Sequence, residues 1–391
     1  MTLDAERPPT SVGVARETDA GETRVAIVPA VVPQLTRSGL EVLVERGAGA
    51  SAGFPDDAYE THGARLGRRA DILEADIVVR VRGWGADGLG PADSHPDQVV
   101  IGMADPLGSP GAVRAAAEAK LVAFALDLMP RITRAQPMDA LSSQATVAGY
   151  RAALLAAHHL PKLFPMLTTA AGTIPPAQVF VIGAGVAGLQ AIATARRLGA
   201  LVQAYDVRPA AQEEIESLGA RSVLLPLAPA DAEDKSGYAK ELGDAFYRRQ
   251  QELLSTVVAG VDVVVTTAFI PGAGAPVLIT ADAVAGMHPG AVIVDCAAER
   301  GGNCELTRRD ETIHTENGVS ILGPTNLPAT VPHDASLMYA KNAAAFLGLI
   351  TKDGRIVVDE EDEIVRATLV ASAGEVVHPR VLEALEEARD V

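Results

Sequence analysis

Three things are scarce in this chain. Aromatic residues make up only 4% of its 391 positions, there are two cysteines, and 33 Lys and Arg face 50 Asp and Glu, for a formal net charge of −17. With few aromatics and 48% hydrophobic residues overall, any core must be built from Ala, Val, Leu and Ile. Two cysteines exclude a disulfide-stapled fold, and Cys296 and Cys304 do not by themselves make a zinc site. The shortage of basic residues argues against a nucleic-acid surface and against docking on anionic lipid. No apolar run approaches the roughly 20 residues of a membrane helix; the longest, such as 261–270, have the length of buried strands. The first ten residues, MTLDAERPPT, are polar and lack the apolar stretch of a secretory signal. A cytoplasmic protein is expected, one that serves a membrane process only through a partner.

What is present is a strand–helix alternation. Short Val/Ile-rich runs at 12–15, 40–44, 77–81, 99–101 and 121–126 are separated by helical or polar stretches, the pattern of βα units and a mostly parallel sheet. A long Ala-rich helical stretch, 141–160, precedes the spacer AAGTIPPA (170–177), whose paired prolines punctuate the chain. A second αβ set runs from 179 to about 322, and a helix at 336–350 is placed to return to the first lobe. The expected fold class is α/β, with two lobes, each a mostly parallel sheet flanked by helices. Residues 1–140 with 329–391 form the first lobe, and 141–328 the second, a Rossmann dinucleotide-binding domain.

The second lobe opens with VFVIGAGVAGLQAIATARRLGALVQAYD. A β-type run feeds Gly183-x-Gly185-x-x-Gly188, a helix follows, and the next strand closes on Asp206. Gly183 permits the turn out of the strand, Gly185 lets backbone approach a pyrophosphate, and Gly188 lets the helix pack close to the sheet. The helix start offers free N–H groups and a positive dipole end. Asp206 can accept both hydroxyls of an adenosine ribose and repel a 2′-phosphate, which favours NAD over NADP; Arg208, two residues on, can accommodate that phosphate.

In the first lobe the densest polar cluster is PRITRAQPMDALSSQ, residues 130–144, following the run 121–126. Arg131, Gln136, Asp139 and Ser142 stand out. A Gln amide suits a carboxamide, and Arg and Asp can brace a loop by a charge-assisted pair. Equally, Asp139 or Ser142 can simply cap the helix that follows. No His or Lys in this lobe is placed as the general acid or base that oxidation of a hydroxy or amino acid requires.

Taken together, these residues resemble the soluble NAD(H)-binding domain of proton-translocating nicotinamide nucleotide transhydrogenases, over nearly the whole chain. The segments that carry the resemblance are ARETDAGETRVAIVP, LMPRITRAQPMDALSSQATVAGYRA, the glycine motif with its flanks, GYAKEL, TTAFIPGAGAPVLIT, CAAERGGNCELT and GPTNLPATVPHDAS. The resemblance implies that Arg131, Gln136 and Asp139 form a loop about the nicotinamide, with Ser142 nearby. It puts Val186, Ala187 and Gly188 under the pyrophosphate, and Asp206, Val207 and Arg208 near the ribose. It assigns 236–240, with Gly237 and Tyr238, to a mobile lid, and makes Gln250 and Phe269 further nucleotide contacts. No metal is implied.

The implied reaction is direct hydride transfer from NADH here to NADP⁺ held by a partner beta subunit, coupled to proton movement by membrane subunits that include an alpha-2 chain. A homodimer is implied as well. The chain is also similar to alanine dehydrogenase, the alternative reading. Arg24 matches that family's substrate-carboxylate Arg, but Arg80 and Arg82 stand in the stretch where its catalytic Lys would fall, and 100–106 lacks its catalytic His.

Overall fold

The computed structural model describes residues 9–83, 94–227, 243–269, 272 and 274–388. The chain divides into two compact units, Met1–Gln144 with Ala329–Val391, and Ala145–Pro328. The first division falls inside a single helix, Ala140–His159.

The first unit is built on an eight-stranded sheet. From edge to edge it runs Glu375–Val376, Leu369–Ser372, Val122–Ala125, Val99–Met103, Ile77–Arg82, Ser11–Val14, Glu41–Glu45, Arg65–Gly67. The six strands from the N-terminal segment are parallel, and the two C-terminal ones add antiparallel at one edge. Alternation along each strand splits the core into two layers. Ile77, Val79 and Val81 join Val99 and Ile101 on one face, while Val78 and Val100 join Leu121 and Ala123 on the other. The helix Pro332–Ile350 does return to this unit: Tyr339, Ala343, Phe346, Leu347 and Ile350 are buried in the first layer, and Phe346 meets Phe124 edge-to-face at 5.2 Å.

The second unit is a seven-stranded sheet in the order Arg221–Ser222, Leu201–Tyr205, Gln178–Ile182, Val263–Thr266, Val292–Asp295, Ser320–Leu322, Thr312–His314. All pairs are parallel except the last. Val179 and Val181 face one core layer and Phe180 and Ile182 the other. Chain order reverses between Gln178–Ile182 and Val263–Thr266, so the crevice beyond their carboxyl ends is where a doubly wound sheet takes a ligand.

Two local expectations are corrected. Among the described residues of the apolar run 261–270, only Val263–Thr266 is strand, and the Thr267 hydroxyl that follows donates to the Gly183 carbonyl. The spacer around 170 is not plain loop: Leu167–Thr169 and Gly172–Ile174 pair as an exposed hairpin.

Candidate functional site

The glycine motif is built as its spacing requires. The strand Gln178–Ile182 ends at Gly183, which adopts φ 94°. A side chain there would meet Thr267 Oγ1 at 2.7 Å. The helix Val186–Arg197 begins after Gly185. A Cβ on Gly188 would stand 1.8 Å from the Gly183 carbonyl oxygen, so strand and helix can approach this closely only with glycine.

Gly185 is different. Its backbone is ordinary and extended, φ −71° and ψ −174°, and a Cβ on it would meet nothing within 4 Å. No protein atom demands a glycine there; a phosphate lying against the helix start would. Val186 beside it is exposed, Ala187 half-buried and Gly188 buried. This is the observation on which a dinucleotide fits the site.

Sequence reading overlooked Gly149. It lies on the helix Ala140–His159, and a Cβ there would fall 2.0 Å from the Ala187 carbonyl oxygen. The first turn of the helix Val186–Arg197 is thus seated on bare backbone. Thr267 was overlooked too, although its Oγ1 donates to the Gly183 carbonyl at 3.0 Å. So was Asn303, which brackets Ala268 by accepting from its N–H and donating to its C=O, at 3.0 and 2.6 Å. Phe269, next in the chain, is exposed.

Asp206 ends the strand Leu201–Tyr205 as expected, but its carboxylate is engaged within the protein. It accepts from the Ala184 N–H at 2.7 Å, from the Arg208 N–H at 2.8 Å, and from Arg208 Nε and Nη2 at 3.0 and 3.1 Å. Beyond it lies a cavity of about 180 Å³, lined among others by Val207, Arg208, Leu224, Leu225 and Phe246. Gln250 is buried under this region; its Nε2 donates to the Tyr205 hydroxyl at 2.9 Å, and its Oε1 is buried without a hydrogen-bond partner among the described residues. Burial pushes the Tyr205 phenol up to about 12, against the lowering effect of the Gln250 bond. Gly237 and Tyr238 lie outside the described residues.

In the first unit, Arg131, Gln136, Asp139 and Ser142 fall on one short stretch after the strand Val122–Ala125. Thr133–Met138 is a 3-10 turn held down by buried Ala135, with Gln136 exposed on it and Arg131 exposed just before it. Asp139 caps the helix Ala140–His159: Oδ1 accepts from the Ser142 N–H at 2.8 Å and Oδ2 from its hydroxyl at 2.6 Å. These bonds are those of a helix cap.

Nearby in the same unit is a buried ionic cluster. Arg24 is bidentate on Glu22, at 2.8 and 2.6 Å, and donates Nη1 to Gln144 Oε1 at 2.7 Å. Arg80 lies 3.6 Å from Glu17, which accepts the Val81 N–H at 2.6 Å. Burial outweighs Arg80 and pushes the Glu17 carboxyl up to about 7. Asp127, which accepts the N–H groups of Ala104 and Asp105, is likewise pushed up by burial, to about 6. Among the described residues no His, Cys, Asp and Glu cluster could hold a metal ion, and no helix is long and apolar enough to cross a membrane.

Comparison with known proteins gives the family and the fold. Residues 13–148 match the N-terminal domain of the family described as alanine dehydrogenase/PNT, and 152–379 match its C-terminal domain. The chain is 44% identical to the first of the polypeptides that make up NAD(P) transhydrogenase subunit alpha in Rhodospirillum rubrum, over 94% of this chain and 98% of that one. The crystal structure of transhydrogenase from Sinorhizobium meliloti superposes with a TM-score of 0.84 at 44% identity, covering 94% of this chain and all of that chain. Alanine dehydrogenase of Bacillus subtilis is more distant, 26% identical over 95% of this chain and 93% of that one.

Proposed function

This chain belongs to the alanine dehydrogenase/PNT family, and from that premise we propose that it is the NAD(H)-binding subunit of a proton-translocating transhydrogenase. The observation that carries the cofactor is Gly185, a glycine at a helix start whose missing side chain would meet only open space. Similarity to transhydrogenase alpha subunits supports the reaction. Bound NADH supplies the hydride, and the acceptor is NADP⁺ on a partner beta subunit.

The chain's own residues bind and orient. The first turn of Val186–Arg197 faces the pyrophosphate, Asp206 and Arg208 together face the adenosine ribose, and Tyr238, Gly237, Gln250 and Phe269 complete the nucleotide contacts. Arg131, Gln136, Asp139 and Ser142 hold the nicotinamide end. Residues 126–144 contain no His or Lys, which suits a step in which no substrate proton moves and catalysis is alignment with exclusion of water. The assembly is a homodimer with beta and alpha-2 membrane partners, on the cytoplasmic face of the membrane, and proton coupling belongs to those partners.

The test mixes the protein with NADH, an NADP⁺ analogue and a purified beta-subunit NADP-binding domain. Hydride transfer that requires all four components is expected, with no NAD⁺ reduction by alanine alone. Robust alanine oxidation would establish the dehydrogenase alternative instead.

A further inference from the structure

The turn that carries Gln136 is tied down on both sides of that residue by parts of the chain some two hundred positions away. Two residues before it, Arg134 donates Nη1 and Nη2 to the two oxygens of Asp362, at 2.6 and 3.0 Å. Asp362 is fixed in turn, since it caps the helix Glu363–Thr368 by accepting the N–H groups of Ile364 and Val365. The Arg134 guanidinium holds its carboxyl below the usual range. One residue after Gln136, the Pro137 carbonyl accepts from Asn342 Nδ2 at 2.8 Å.

Asn342 is an odd choice for its place. It sits in the helix Pro332–Ile350 among buried Ala, Leu and Phe, is 8% exposed, and leaves its own Oδ1 buried without a partner. A buried amide with an unmet acceptor costs stability, so the sequence keeps a destabilising residue to reach one carbonyl of the turn. Likewise, an ion pair with a half-exposed Arg contributes little to overall stability, yet a bidentate one fixes direction.

We infer that Arg134, Asp362 and Asn342 are positioning residues that clamp the Gln136 turn. They aim an exposed amide from backbone held at both flanks. The inference rests on the reading of Gln136 as a ring-aligning residue. Because a displacement of about 1 Å can cost on the order of 100-fold in rate, loosening the clamp should slow hydride transfer far more than it weakens binding.

The experiment uses the full chain with saturating beta-subunit NADP-binding domain. Variants are Arg134→Met, Asn342→Leu and Asp362→Asn, the last of which keeps a helix-capping oxygen while losing the charge. Each is made alone and with Gln136→Asn. Three quantities are read: amide hydrogen exchange across 132–139, NADH affinity at equilibrium, and single-turnover transfer. Expected are faster exchange confined to the turn, affinity within about threefold, transfer slowed about tenfold, and partial rescue by Arg134→Lys. Added to Gln136→Asn, the clamp variants should slow transfer little further. Unchanged exchange in Arg134→Met and Asn342→Leu, or losses that multiply with Gln136→Asn, would overturn the clamp. Should Gln136→Asn alone transfer at the wild-type rate while exchange still quickens, the clamp stands and the reading of Gln136 falls.

Discussion

Arg208 lies across the carboxylate of Asp206, meeting both of its oxygens at 3.0 and 3.1 Å, while the Ala184 N–H donates to one of them at 2.7 Å. An acid at this position ties the second strand to the glycine turn, and under the proposed function it also faces the ribose. Its negative charge is offset by a guanidinium that could itself receive a 2′-phosphate. Discrimination between NADH and NADPH therefore depends on the pair rather than on Asp206 alone. Asp206→Asn keeps an acceptor for Ala184 and releases Arg208. It should lower the preference for NADH by at least about tenfold, or about 1.4 kcal/mol. Arg208→Ala should shift the preference the other way. Equilibrium titration with both nucleotides checks this, and a ratio that moves in neither variant would sink the argument.

The glycines of one motif should separate by experiment. Gly188→Ala drives a methyl into the Gly183 carbonyl and should cost about 3 kcal/mol or more, as severe overpacking does. Gly185→Ala meets no atom of the protein and has a backbone that alanine adopts freely. It should change stability by no more than about 1 kcal/mol, the cap preference for glycine over alanine opposing the gain from a stiffer unfolded chain, yet weaken NADH binding at least about tenfold. Thermal melts with and without NADH report both. A Gly185→Ala protein that binds normally would remove the phosphate from that spot.

The contrast shows what the sequence could disclose. Gly183, Gly185, Gly188 and Asp206 were legible because a βαβ unit puts them at fixed offsets around one short turn. The helix expected at 336–350 lies in the first unit as Pro332–Ile350. By contrast, Leu369–Ser372 pairs antiparallel with Val122–Ala125, two hundred residues away, and local pattern carries no register over that distance. Gly149 gave no sequence signal, since what it meets, the Ala187 carbonyl, is backbone. The hairpin at 167–174 is exposed on both faces, so no burial alternation marked it. Asp139 stayed ambiguous because capping and braced-loop roles select the same residue type.

That ambiguity can be resolved. Asp139 accepts from the Ser142 N–H and hydroxyl, and losing that cap in Asp139→Ala should cost about 1 kcal/mol. Asp139→Asn keeps a capping oxygen and should stay within about 0.5 kcal/mol of the parent. If the carboxylate also orders the Gln136 turn, both variants should slow hydride transfer, whereas only the alanine lowers Tm. Transfer at the parental rate in Asp139→Asn would leave Asp139 as a helix cap alone.

Glu17 supplies a pH dependence with a definite sign. Its carboxyl is raised from 4.5 to about 7 by burial, partly opposed by Arg80 and by the Val81 N–H, with Glu22 adding a further upward push. Between those values the folded chain holds a proton that the unfolded chain has released. The stability this contributes is fully present below about pH 4.5 and is lost as pH rises through about 7. At about 1.36 kcal/mol per unit, the loss is on the order of 3 kcal/mol at most. Other carboxylates tilt the curve oppositely: Asp362, lowered by its bond to Arg134, adds stability that is lost on acidification. The informative quantity is therefore a difference. Glu17→Gln keeps an oxygen for the Val81 N–H and cannot titrate. Subtracting its unfolding free energy from the parent's, measured in denaturant from pH 4.5 to 8, should leave a term that falls with pH and levels off above about 7.5. A flat difference would mean that Glu17 is already ionised at pH 5 and that Arg80, despite the burial, dominates its environment.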